Sequence, residues 1–305
     1  VKILVTGGAG FIGSHVVDAF VAAGHQVAVL DDLSTGKRAR VNRAARLHVM
    51  DLRNDGLVRV FESERPEVVA HLAAQAAVSR SVSNPALDAS VNILGSLNVL
   101  DCCRRFDVGR VIYASSGGAG YGDTVVLPTP EDHPTHPASP YGITKVAVEM
   151  YLRAWAPLFS IKGISLRYAN VYGPRQDPDG EAGVVAIFCH RLLTGQAPII
   201  NGDGEQTRDY VYVEDVAAAN LRALEHPEVV GCVNIGTGIE TSVNELYRSL
   251  ALVADLATMA EHGPALPGEQ RRSCLDPALA RRCLGWEPRV PLRDGLARTL
   301  EFFRH

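Results

Sequence analysis

Tyr141 and Lys145 stand four residues apart in Ser139-Pro140-Tyr141-Gly142-Ile143-Thr144-Lys145. Pro140 suits a helix start, and on a helix that spacing puts both side chains on one face. A phenol with a reference pKa near 10 is a poor base at neutral pH. A nearby ammonium favours phenolate over phenol. Lowering a phenol pKa from about 10 to about 7 corresponds to roughly 4 kcal/mol of differential interaction. The pair therefore reads as a proton acceptor with its own electrostatic support. A Y-x-x-x-K spacing alone arises often on helix surfaces, so its meaning depends on what the rest of the chain brings to it.

The second chemical signal is the opening turn, Val5-Thr6-Gly7-Gly8-Ala9-Gly10-Phe11-Ile12-Gly13. An apolar run, Ile3-Leu4-Val5, precedes it and a helical pattern from Ile12 to Phe20 follows. Gly8, Gly10 and Gly13 fit G-x-G-x-x-G in its strand-turn-helix setting. Such glycines permit a tight turn, a close approach of backbone N–H groups to a pyrophosphate, and close helix–strand packing. The helix N-terminus adds unpaired N–H groups and partial positive charge. Asp31 ends the next strand 18 residues beyond Gly13, near the spacing of a ribose-binding acid. A carboxylate there accepts from ribose hydroxyls and repels a 2′-phosphate, which favours NAD over NADP.

These signals sit on alternating elements. Strands are expected at His25–Leu30, Leu47–Met50, Val68–Ala74, Arg110–Ala114 and Gly163–Arg167, with one long helix from about Asn84 to Phe106. Asp31, Asp51, Leu72-Ala73-Ala74 and Ser115-Ser116 all fall at strand ends. Alternation of this kind predicts a doubly wound parallel α/β sheet with right-handed crossovers. Its ligands bind at the carboxyl ends of the strands. Beyond Pro174 the pattern is less regular: a Gly/Pro/Asp-rich loop to Ala182, a helix Val184–Leu193, strands at Pro198–Ile200 and Thr207–Val213, and helices at Asp276–Leu284 and Leu292–Phe303. The expected division is a cofactor domain of residues 1–169 with a return segment near 211–238, and a smaller mixed α/β substrate domain over 170–305.

Composition narrows the class. A chain of 305 residues with 47% hydrophobic and 21% charged residues is a globular protein with a large core. Its net charge of −4 argues against a nucleic-acid binder. No apolar run is long enough to span a bilayer, and the chain opens on a strand, so no leader is expected. Six cysteines without C-x-x-C spacing read as reduced thiols of a cytoplasmic protein. The histidines show no ligand spacing, so no metal site is expected.

The segments TGGAGFIGSH, LDDL, HLAAQAAV, ASSGGAGYG, SPYGITK, LRYANVYGP and GDGEQTRDYVYVEDVA run in order through the chain. In them the sequence resembles the extended short-chain dehydrogenase/reductases, specifically the NAD-dependent nucleotide-sugar epimerase/dehydratase family and its UDP-hexose 4-epimerase branch. The resemblance implies a Rossmann fold, NAD as cofactor, a UDP-sugar substrate and a homodimer formed through the helix after Asn84 and the Tyr141 helix. It implies C4 epimerisation through a transient 4-ketose, with Tyr141 as the base and Lys145 holding the nicotinamide ribose. Gly7, Gly10, Phe11, Ile12 and Gly13 would follow the phosphates, with Asp31, Asp32 and Leu33 at the adenosine ribose and Asp51 and Leu52 at the adenine. Leu72, Ala73, Ala74, Asn92, Ser115 and Tyr168 would lie near the cofactor. Asn170, Val185, Arg191, Asn201, Arg208 and Glu269 would serve the sugar nucleotide.

One departure concerns the active-site hydroxyl. Many relatives carry it four residues before the tyrosine of the Tyr121-Gly122 pair, and that position is Gly117. Ser116, with Ser115 in reserve, is the expected substitute. Leu266 also stands where relatives often carry a diphosphate-binding arginine, with Arg271 or Arg272 as replacements. Related 4,6-dehydratases carry an Asp-Glu pair, and decarboxylases a glutamate, in the segment that here reads Gly118-Ala119. A non-catalytic NAD sensor of the same fold usually lacks the tyrosine or the lysine. Both are present. Between a neutral hexose and a uronate, Arg191 and Arg80 are the candidate carboxylate readers.

Overall fold

The computed structural model describes residues 1–178, 183–255, 259–265 and 270–304. Six apolar runs form the strands β1 Lys2–Thr6, β2 Gln26–Asp31, β3 Arg46–Val49, β4 Val68–His71, β5 Arg110–Ser116 and β6 Lys162–Tyr168. Outside this sheet lie β7 Asn170–Tyr172, β8 Ile199–Asn201, β9 Thr207–Arg208 and β10 Tyr210–Tyr212. A later strand, β11 Gly231–Ile235, joins the edge of the same sheet, and β12 Thr241–Ser242 and β13 Glu261–Gly263 complete the set. The seven strands run parallel in the order β11-β6-β5-β4-β1-β2-β3. The order reverses at β1, and the crevice at that point is where such sheets take their ligands.

Strand alternation divides the core between two faces. Ile3, Val5, Val27 and Val29 pack on one side with Val16, Val17 and Phe20 of the first helix, Phe11–Ala22. Leu4, Ala28 and Leu30 pack on the other with Phe61, Val99 and Val148. Both faces are covered, which explains why the strands read as near-continuous apolar runs. A third cluster, including Tyr172, Phe188, Leu246 and Leu296, builds the second half.

Three expected elements differ. The helix over 84–106 is broken into Pro85–Ala89, a π-helical turn Ser90–Leu94 and Gly95–Arg105. The strand over 68–74 ends at His71, so Leu72–Ala74 are loop. The strand over 207–213 is two strands parted at Asp209: β9 pairs with β12, whereas β10 pairs with β7. No described helix is long and apolar enough to cross a membrane.

Candidate active site

The opening turn is closed by backbone contacts. Gly7 sits at φ +72°, and a β-carbon there would lie 2.6 Å from the Ala73 nitrogen. A β-carbon on Gly13 would strike the Gly7 carbonyl. Gly10 begins the first helix with no capping side chain, and the first turn carries no acidic residue. The N–H groups of Phe11 and Ile12 lie in that uncapped turn, and a β-carbon on Gly10 would approach only the Gly7 carbonyl, at 3.2 Å. The space above the turn is therefore open to an anion.

Asp31 is buried at the end of β2. Its two oxygens accept the Ala9 and Leu33 N–H groups, each at 2.9 Å. Leu33 meets it from a left-handed conformation, φ 59°. Burial pushes this carboxyl upward and the two N–H groups oppose the shift. Each oxygen keeps lone-pair capacity for a ribose hydroxyl. Asp32 is a turn residue instead, accepting the Ser34 N–H and hydroxyl. Asp51 holds Arg53, which keeps its carboxyl below the usual range, and Leu52 beside it is buried.

A buried chain of hydrogen bonds fixes the loop after β4. The Ala73 N–H donates to Thr6 Oγ1, Thr6 faces His71 Nδ1 at 2.7 Å, and His71 Nε2 faces Ser96 Oγ at 2.8 Å. Ser96 in turn donates to the Asn92 carbonyl. With Thr6 donating, His71 is neutral and carries its proton on Nε2. Burial, reinforced by the Lys145 cation, pushes its pKa down to about 3. Asn92 stands on the π-helical turn and binds protein throughout. Its amide donates to the Gln75 carbonyl, Asp88 and Thr144, and its oxygen accepts the Gln75 N–H. It therefore holds the loop and the Tyr141 helix together.

Ser139 caps the helix Pro140–Phe159 by accepting the Gly142 N–H. Tyr141 and Lys145 follow on one face. Lys145 is 4% exposed, donates to the Ala114 carbonyl at 2.9 Å, and lies 5.0 Å from the Tyr113 ring centre and 5.7 Å from that of Tyr141. Burial pulls its pKa down to about 8, against the carboxylates of Asp88 and Glu149.

The two serines separate clearly. Ser115 is buried and donates to Glu149 at 2.6 Å. Glu149 also binds Arg167 with both oxygens, and Arg167 donates to the Tyr121 hydroxyl. That hydroxyl donates to Asn234. Ser115 thus belongs to a buried network. Ser116 is half-buried and caps the short helix Gly117–Tyr121, accepting the Ala119 N–H at 3.4 Å. That helix packs on the Tyr141 helix so closely that a β-carbon on Gly142 would strike the Ala119 carbonyl. A β-carbon at Gly117 would meet the end of the Leu275 side chain at 2.5 Å, so a hydroxyl-bearing residue there would require that leucine to shift. Tyr168, expected near the cofactor, is turned into the core, where its hydroxyl accepts from Asn220. Burial pushes its pKa up.

On the substrate side, Asn170 and Arg208 flank one residue. The Asn170 N–H donates to the Asp209 carbonyl at 2.8 Å, and Arg208 precedes Asp209 at the end of β9. Asn201 ends β8 half-buried, its carbonyl accepting from Gln206. Val185 is packed in the core of the second half with its side chain fully buried. Arg191 donates to the Ala197 carbonyl, and Arg80 is exposed on the helix Val78–Ser83. Arg271 pairs with Asp203 and Arg272 with Glu240, so both proposed replacements are engaged elsewhere. Glu269 and Leu266 lie outside the described residues. Among the described residues no group of His, Cys, Asp or Glu is arranged to hold a metal ion.

Sequence reasoning missed Asp88, Glu149 and His71, which surround Lys145. Glu149 carried a signal: it lies four residues after Lys145, on the same buried helix face.

The family model of the NAD dependent epimerase/dehydratase family matches residues 3–236. The chain belongs to that family. The UDP-glucose 4-epimerase of Mycolicibacterium smegmatis is 45% identical over 312 residues, covering 100% of this chain and 99% of the relative. Among solved structures, the UDP-glucose 4-epimerase of Thermotoga maritima, crystallised with UDP-glucose, superposes with a TM-score of 0.96 at 50% identity, covering 100% of this chain and 99% of that one. The enzyme of Thermus thermophilus, complexed with NAD, gives 0.95 at 45% identity over the same shares. The uncapped turn, the open space over Gly10 and the buried Asp31 fit such a dinucleotide.

Proposed function

We propose that the chain is a UDP-glucose 4-epimerase that interconverts UDP-glucose and UDP-galactose with resident NAD. The observation that carries this reading is the buried Lys145 cation beside Tyr141, against the Ala114 carbonyl near the carboxyl end of β5, the same end of the sheet at which the dinucleotide turn leaves β1. The relatives' assigned activities support it. Residues 1–169 with the return segment 211–238 would hold the cofactor, and 170–305 would mainly hold the sugar nucleotide.

The Gly7–Gly13 turn and Asp31 would hold the pyrophosphate and adenosine ribose of NAD, and Lys145 the nicotinamide ribose. Bound there, the dinucleotide supplies the oxidation at C4 and its reversal. Tyr141 takes the C4 hydroxyl proton as oxidation proceeds and returns it to the same oxygen when the carbonyl is reduced from its opposite face. Ser116 hydrogen-bonds the same oxygen. Asn170 and Arg208 grip the diphosphate while the ketose turns over, because a guanidinium suits a phosphate. The helix Gly117–Tyr121 carries no carboxylate, so the acid–base pair that dehydration needs is missing there. With Arg191 bonded to its own chain, the neutral hexose is preferred over the uronate.

The test is incubation with UDP-glucose or UDP-galactose without added reductant, with products identified by mass and NMR. Equal-mass interconversion is expected. A product lighter by water or carbon dioxide would overturn the assignment. Within that assay, Ser116→Ala is expected to cost about 10²-fold in turnover. Ser115→Ala is expected to cost stability, seen as a lower Tm, because it removes a donor from the buried Glu149.

The homodimer is part of the proposal. Ile143 and Met150 are 53% and 66% exposed on the Tyr141 helix, and Leu94 is 60% exposed on the neighbouring π-helical turn. An apolar face of that kind suits a second copy of this chain. Met150→Glu is expected to sediment as a monomer. We place the protein in the cytoplasm because its six thiols are all unpaired.

A further inference from the structure

Asp209 breaks what the sequence presents as one strand. It is 1% exposed, and its carboxylate is met entirely by donors. Oδ1 accepts the Thr237 N–H at 2.8 Å and the Thr237 hydroxyl at 2.6 Å. Oδ2 accepts the Gly238 N–H at 3.1 Å and the Leu275 N–H at 3.2 Å. Its backbone carbonyl accepts the Asn170 N–H. One residue therefore joins the strand bearing Arg208, the strand bearing Asn170, the turn after β11 and the segment around Leu275. Leu275 in turn fills the place of a side chain at Gly117, directly after Ser116. Arg208, directly before Asp209, ends β9 half-buried, so holding Asp209 holds the backbone that carries the guanidinium.

We propose that the Asp209 carboxylate is a positioning residue for substrate: it fixes Arg208 and Asn170, at the diphosphate end, relative to Ser116, at the sugar end. The inference rests on the UDP-sugar reading above and deepens it. Epimerisation requires the ketose to turn while its nucleotide stays still, so the distance between grip and reacting centre must not drift. Four donor groups from two segments, Thr237-Gly238 and Leu275, impose that spacing through one carboxylate, while the backbone carbonyl of the same residue ties in Asn170. An apolar residue of the same size would leave those donors unsatisfied in the interior.

The test compares Asp209→Asn with the wild-type holoenzyme. An amide of the same shape presents N–H₂ to at least one of the opposing donors. The second variant is Gly236→Ala, whose β-carbon would lie 2.5 Å from Asp209 Oδ2 and displace it without altering its charge. Binding of UDP is measured by calorimetry, NAD content by assay of the denatured protein, and kcat and KM with UDP-glucose. In both variants the Kd for UDP and the KM are expected to rise by about tenfold or more, the equivalent of roughly 1.4 kcal/mol, with NAD content at the wild-type level. UDP affinity within about twofold of wild type overturns the proposal. So does a parallel loss of NAD, which would make Asp209 a general support of the fold. Wild-type protein that does not bind UDP overturns the sugar-nucleotide reading itself, and this inference with it.

Discussion

Tyr141→Phe is expected to lower epimerase turnover by about 10²–10⁴-fold while NAD content and the Kd for UDP stay near wild type. Oxidation at C4 leaves a proton on an oxygen that must lose it in the same step. Without an acceptor, loss of hydride from C4 would leave a protonated carbonyl that carries the positive charge. Phenylalanine keeps the ring over which the Lys145 Nζ lies at 5.7 Å, so packing and the lysine's position survive and only the phenolic oxygen is removed. Asn170 and Arg208, the proposed diphosphate groups, stand on other elements, β7 and β9. The loss therefore falls on kcat rather than on nucleotide affinity. A turnover within about tenfold of wild type would reassign the proton to another group, with the half-buried Ser116 hydroxyl the first to examine.

The parts of this site that the sequence discloses are those whose causes are local. The tight turn at Gly7 and Gly13 is legible because no side chain fits where Ala73 and the Gly7 carbonyl approach. The placing of Tyr141 and Lys145 on one face follows from helix geometry alone. The sheet is read correctly because strands covered on both faces must be apolar throughout. The failures are non-local. Nothing in Thr207–Val213 signals a break, since the groups that draw Asp209 inward, Thr237, Gly238 and Leu275, lie far along the chain. The two serines are adjacent and chemically alike, and only the arrival of Glu149 from the Tyr141 helix separates them. Tyr168 follows the same logic: Asn220, on the helix Val213–Glu225, decides where its hydroxyl goes. The π-helical turn at Asn92 is a change of hydrogen-bond register without a composition signal, and π turns gather at functional sites.

Lys145→Met is expected to lose about 10²–10⁴-fold in kcat/KM at neutral pH and to change the shape of the pH profile. In the wild type the cation favours the phenolate, and it has a pKa of about 8 in the ligand-free protein. Tyrosine and lysine titrate as a coupled pair. Activity should rise as the tyrosine ionises and then fall as the lysine loses its proton, so kcat/KM should pass through a maximum and descend on the alkaline side. The variant has no cation to lose. Without that charge the phenolate loses its electrostatic support, so the small residual rate should keep climbing with pH instead of descending. A variant profile parallel to the wild type would show that Lys145 acts only by holding the cofactor. Stability moves in the opposite direction. The folded pKa is lowered from the ordinary 10.5 to about 8, so the unfolded chain binds the proton more tightly. Burying the charged lysine therefore costs stability below pH 8, and the cost disappears as pH rises from 8 to 10.5. The ligand-free wild type should gain Tm over that interval from this group. Lys145→Met should gain Tm already at pH 7, where methionine fills the same channel without a charge. A higher melting point joined to a lost alkaline limb would mark Lys145 as a cation kept in the interior for its effect on one oxygen.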